Sequence, residues 1–305
     1  MGVQEVQGVQ KVQEVHGVQE VQEVQGTPGP GRSPAGSSLA GAARIFDLSL
    51  GELIWSRRTI FMALIVGAPV LLATIARIVE ASGVAPLRVN GQGVDPASIF
   101  GMIIWVLFLR FIVPVLGVFY GTSLIADEVD DKTITYLFTR PLRRGAVLLG
   151  KYLAYLACTT LVVLPSVMIV YFMLVPFRDV ARSFPALLTD LGLLAIGIAA
   201  YGAVFTMVGA WMKRPLVVGL VFTFGWEQFA MLMPGYLRRF TLAHYLQALV
   251  PHAMPADESV SSLLQSVFSE SPSAPLSLFV LTTVTVLSLA WAMRIVERKE
   301  YVLEQ

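Results

Sequence analysis

Hydrophobic positions along this chain gather into long uninterrupted blocks, not into the 3.6- or 2-residue alternation of a half-buried helix or strand. Six blocks lie at about 59–79, 99–125, 153–177, 187–212, 216–233 and 276–293, near the roughly 20 residues that cross a hydrocarbon core of about 30 Å. No water reaches the backbone in that core, so each block is predicted to be a helix that satisfies its own polar groups. The predicted fold class is an all-α integral membrane protein with six spans over 59–300. Ahead of them, 43–58 places Phe46, Leu50, Leu53 and Ile54 at i, i+4, i+7 and i+8, opposite Asp47, Glu52 and Ser56. That spacing predicts an amphipathic helix lying in the interface, with Trp55 at headgroup level. The longest interval between blocks, 234–275, has helical composition at Tyr236–Leu249 and Ser259–Phe268, which predicts short helices on the outer surface.

The first residues differ in kind. Val3–Gly26 repeats a triplet of Val, Gln (His at His16) and Glu, Gly or Lys. A step of three turns a helix by about 300°, so the valines circle it and no apolar face forms. Thr27-Pro28-Gly29-Pro30-Gly31 and a run of small residues follow. Residues 1–42 are predicted to be a disordered low-complexity tail or an over-extended translation start. No apolar segment precedes residue 59, which predicts a chain without a signal peptide.

Composition and charge narrow the function. The chain is 55% hydrophobic and 14% charged, against about 25% charged in a soluble domain. A net charge of +1 lacks the basic excess of a nucleic-acid binder. Cys158 is the lone cysteine and the histidines are His16, His244 and His252, so neither a disulfide nor a Cys/His zinc site is expected, and no cofactor. His244 and His252 are expected to be surface or interfacial. Arg77, Arg88, Arg178, Arg182, Arg238 and Arg239 fall on one side of the predicted topology, and more than twice as many Lys and Arg fall on the other. The richer side, which holds both termini and the stretch 126–151, is predicted to be cytoplasmic.

That stretch carries the most information. Asp127–Asp131 open a short helix with acidic residues, which cap its free N–H groups and favour its dipole. Pro141 disfavours helix at Arg140. Ile134, Leu137 and Phe138 form one apolar face, too short to span and too apolar to stay bare in water, so it is predicted to dock on a partner. The order of Glu128, Thr133, Leu137, Pro141, Leu142, Arg144, Gly150 and Lys151 resembles the loop after the second span in ABC-2 type permease subunits of ABC transporters. It departs at Lys132, where that family more often has Gly, with the spacing unchanged.

The resemblance covers about 43–300. It implies a multi-pass subunit of the bacterial plasma membrane with cytoplasmic termini, without a catalytic site of its own. It would pair with a second permease copy or paralogue and with ATP-binding cassette ATPase subunits. The loop 126–151 would be the coupling element, with Glu128, Thr133, Leu137, Arg140, Pro141, Arg144 and Lys151 facing the ATPase, and transport would run outward. The sequence holds no G-x-x-x-x-G-K-[ST] and no H-E-x-x-H, so ATP chemistry is expected in another chain.

Arg110, Asp190 and Glu227 lie inside blocks, where an unpaired charge is costly. Counted along helices, Arg110 lies roughly 16 Å, Glu227 roughly 9 Å and Asp190 roughly 5 Å below the outer edge. This favours an Arg110–Glu227 pair joining spans two and five, with lining of a substrate path as the competing role. Gly117 and Gly121, and Ala199 and Ala203, permit close helix contact within the chain or across a dimer. Pro114 and Pro165 predict kinks. An ion-coupled secondary transporter, an intramembrane enzyme and a non-transporting membrane scaffold are the alternatives. The first needs midplane carboxylates, for which only the off-centre Glu227 is a candidate, and no nucleophile–base set is visible for the second.

Overall fold

The computed structural model describes residues 46, 49–51, 57–82, 88–89, 92–93, 96–125, 144–232, 236–250 and 272–298, all within the unit Ser38–Gln305. The tail 1–42, most of the interfacial helix 43–58, residues 126–143 and the segment 259–268 lie outside them.

Among the described residues, five helices are long and apolar enough to cross a membrane. They are Arg57–Ala81 (α1), Ile99–Ile125 (α2), Arg144–Leu174 (α3), Phe177–Trp211 (α4) and Ala274–Arg298, here α7. Between α4 and α7 lie Pro215–Ala230 (α5), a 3₁₀ turn Tyr236–Phe240 and Leu242–Gln247 (α6). At about 1.5 Å per residue α5 is roughly 24 Å long, short of a core of about 30 Å. A two-residue antiparallel ladder pairs Arg88–Val89 with Gln92–Gly93.

Proline sets the joints. Val175 precedes Pro176, which is extended at φ −61°, ψ 143°, so α3 stops at Leu174 and α4 starts at Phe177. Pro215 stands in the first turn of α5, where its missing N–H costs nothing. Pro114 lies inside α2, and π-helical turns at Ile103–Ile112 and Gly117–Gly121 flank it. A proline ring crowds the carbonyl four residues back, here that of Arg110. The wider turn relieves that crowding, and the Val113 N–H donates to the Phe108 carbonyl five residues behind. Helix α3 continues through Pro165.

Helices α2, α3 and α4 form the core, filled by Tyr120, Tyr155, Tyr171, Tyr201, Phe108 and Phe205. Glycine lets α2 and α4 approach. A Cβ on Gly209 would lie 2.5 Å from the Thr122 carbonyl oxygen, and one on Gly121 would lie 3.0 Å from that of Gly202. The Gly117 and Gly121 step therefore packs within the chain, against Tyr201 and Phe205 of α4. Tyr152 and Tyr155 of α3 donate to the Ala199 and Ile198 carbonyl oxygens at 2.9 and 3.1 Å, so α3 is fastened to α4 by its hydroxyls as well as its rings. The Ser166 hydroxyl donates to the Val66 carbonyl at 3.0 Å and ties α1 to α3.

Candidate functional site

Polar side chains meet where α2, α4, α5 and α6 converge. Arg110 sits in the widened turn of α2. Its Nε and Nη2 donate to Gln228 Oε1 at 2.9 and 2.7 Å. Its guanidinium lies 5.6 Å from the Trp105 ring centre, because residues five apart stack in a π turn. Phe111 and Phe224 touch at 6.0 Å between ring centres and are both partly exposed. Arg110 is itself only half-buried, so this α2/α5 surface presents a cation against the Trp105 ring.

Glu227, the next residue to Gln228, turns inward and is 3% exposed. Its Oε2 accepts the Tyr201 hydroxyl at 2.7 Å and its Oε1 accepts the Leu242 N–H at 3.2 Å. A carboxylate at the start of α6 takes up one of the donors that a helix leaves unsatisfied, and it matches the dipole. Thr241 completes that cap by accepting the His244 N–H at 3.4 Å. One carboxylate thus connects α4, α5 and the short helix α6. Leu242, His244, Leu246 and Gln247 are buried, so α6 is set into the bundle.

This arrangement corrects two expectations. Arg110 and Glu227 do not meet as a contact pair: Arg110 donates to Gln228 and Glu227 accepts from Tyr201, while the two charges stay within electrostatic reach of one another. Depth along the helices fixes the level of a residue, but consecutive residues point about 100° apart, and it is Gln228 that brings its oxygen to Arg110. His244 is buried, with its ring edge on to that of Tyr245 at 5.4 Å, and not at the surface; His252 lies outside the described residues. Gln228 and Tyr201 escaped the sequence reading because neutral polar residues inside apolar blocks give a weak signal, although their ability to bond a charged neighbour was available as a clue.

Asp190 is fully buried. Helix α4 begins at Phe177, so Asp190 lies in its fourth turn and not at its start. Ala203 is buried and Ala199 half-buried in the same helix. Of the coupling residues, Glu128, Thr133, Leu137, Arg140 and Pro141 lie outside the described residues; Arg144 opens α3, and Lys151 is buried on it. The stretch Gly145-x-x-x-x-Gly150-Lys151-Tyr152 misses a phosphate-binding loop by its last residue. It is helical throughout, and Tyr152 is committed to α4, so it offers no cradle of free N–H groups. Among the described residues no group of His, Cys, Asp and Glu could hold a metal ion.

The family model described as ABC-2 family transporter protein matches residues 1–300. No curated protein matches the chain.

Proposed function

Since this chain belongs to the ABC-2 transporter family, a family of multi-pass membrane proteins that work as permeases of ABC transporters, we propose that it forms the translocation path of an ATP-driven exporter. The family match over nearly the whole chain carries this reading. In it, α1–α5 and α7 make six crossings, with α5 completed by the buried turn and helix at 236–247. Both termini lie in the cytoplasm of a bacterial cell, on the side richer in Lys and Arg.

Two copies, or this chain and a paralogue, stand together over two ATPase subunits. Residues 126–151 deliver the movement of the ATPases to the foot of α3, with Glu128, Thr133, Leu137, Arg140, Pro141 and Arg144 at that contact and Lys151, buried on α3, behind it. The half-buried Arg110 beside Trp105 gives the α2/α5 surface the character of a path wall, since a cation at mid-helix is poorly placed against lipid. Closure of the ATPases pushes the 128–139 helix, and the two halves rock to open the path outward. Glu128→Ala and Pro141→Ala are expected to leave the protein folded and in the membrane while ATP hydrolysis proceeds without transport. Fully coupled transport in both variants would overturn the assignment of the loop.

A further inference from the structure

A groove of about 820 Å³ lies between the ends of α4 and α7, lined by Trp211, Leu287, Ala290, Trp291, Arg294 and Arg298, among others. Nothing in the transport mechanism uses it. On α7, Leu287, Trp291, Arg294 and Arg298 fall at i, i+4, i+7 and i+11, which is one stripe of a helix. Along that stripe the chemistry runs from aliphatic to aromatic to cationic. Arg294 lies roughly 4–5 Å and Arg298 roughly 10 Å beyond Trp291 along the axis. Trp211, the last residue of α4, faces the same groove and is followed by exposed Lys213 and Arg214.

Leu287 and Trp291 are each 61% exposed and Trp211 is 60% exposed; Arg294 and Arg298 are exposed too. The nearest described carboxylate on the helix, Glu297, is directed to another face: its Oε1 lies 3.0 Å from the position of a Cβ on Gly145 of α3. Among the described residues it makes no ion pair with either arginine.

We propose that this groove binds an anionic phospholipid. The acyl chain lies along Leu287 and Ala290, the glycerol region lies between the two tryptophans, and the phosphate lies between Arg294 and Arg298. Tryptophan prefers the membrane–water boundary for its apolar body and N–H donor, and guanidinium groups match phosphate oxygens with paired donors. The order of groups along the stripe is the order of groups along a phospholipid, and the charge selects one with a net negative head. The proposal needs only that the chain spans a membrane, so it stands or falls separately from the coupling of transport to ATP.

The test is native mass spectrometry of the full chain released from mixed micelles holding equal phosphatidylglycerol and phosphatidylcholine. Retained phosphatidylglycerol is expected to exceed phosphatidylcholine. Arg294→Gln and Arg298→Gln should each lower that preference about fivefold, and the double variant about 25-fold, on the basis of about 1 kcal/mol per basic residue at an anionic surface. Arg294→Lys with Arg298→Lys should keep most of it, and Trp291→Ala should lower retention of both lipids alike. Arg178→Gln with Arg182→Gln, at the opposite end of α4, should change nothing. Equal retention of the two lipids, or an unchanged preference in the double Gln variant, overturns the proposal. Displacement of the lipid by millimolar inorganic phosphate would make this a free-anion site. Loss of a co-purifying protein, and not of lipid, in the double Gln variant would make it a protein interface. Either result also overturns it.

Discussion

Glu227→Ala removes the carboxylate that joins α4, α5 and α6, and its effect follows from the two hydrogen bonds it accepts. The wild-type oxygens accept from Tyr201 at 2.7 Å and from the Leu242 N–H at 3.2 Å. Truncation leaves both donors buried without an acceptor, at about 1–3 kcal/mol each. Interhelical hydrogen bonds in membranes measure less in global unfolding, about 0.6 kcal/mol on average, because the unfolded helices find other partners. Local release of α6 avoids that reference state, so about 2–3 kcal/mol is expected for its opening. That corresponds to a roughly 30- to 150-fold rise in amide exchange over Leu242–Gln247. Tyr201→Phe removes one donor and leaves the carboxylate on Leu242, so roughly tenfold or less is expected. Hydrogen exchange on the protein in lipid nanodiscs reads all three forms. Unchanged exchange in Glu227→Ala would refute the reasoning. So would an equal effect of Arg110→Ala, because it would mean that Arg110 and Glu227 act as a pair after all.

Gly209→Ala places a methyl group 2.5 Å from a backbone oxygen of α2 that cannot rotate away, whereas Gly192 has nothing within 4 Å; thermal unfolding in detergent should show a loss of about 1–3 kcal/mol for the first and little change for Gly192→Ala. Gln228→Leu strips Arg110 of the acceptor that binds it at 2.7 and 2.9 Å and should destabilise by about 1–3 kcal/mol, while Gln228→Glu should be tolerated, as read by the same unfolding measurement. The double swap Arg110→Glu with Glu227→Arg should fail to rescue assembly lost in either single change, as read by gel filtration, because the two groups bond to other partners.

Much of the fold was legible because a membrane leaves few solutions for apolar blocks. The second block, 99–125, coincides with Ile99–Ile125. Helix ends outside the core were harder to place. Helix α3 begins at Arg144 and α4 at Phe177, each well before its apolar block, because Arg144–Lys151 and Phe177–Ala186 mix charge with apolar residues and carry no block signal. The stop at Leu174 was nevertheless written in Val175-Pro176. The level of the polar cluster could be counted from sequence, but its pairing could not. Partner choice depends on the azimuth of neighbouring residues and on the π turns beside Pro114 and before Gln228, and an α-helical count does not contain those turns. Burial of α6 was hidden for another reason. Its anchor, Glu227, is fifteen residues away along the chain, and only folding brings it to Leu242.

The central claim is that a separate ATP-hydrolysing chain drives this one through residues 126–151. The direct measurement is mild purification from native membranes with a photo-crosslinking residue at position 133, followed by identification of the trapped partner. The account predicts a crosslink to a chain carrying a G-x-x-x-x-G-K-[ST] motif, in near-equal amount. A preparation in which no such chain is crosslinked or co-purified, or in which position 133 reacts with membrane-impermeant reagents from outside intact cells, would contradict it.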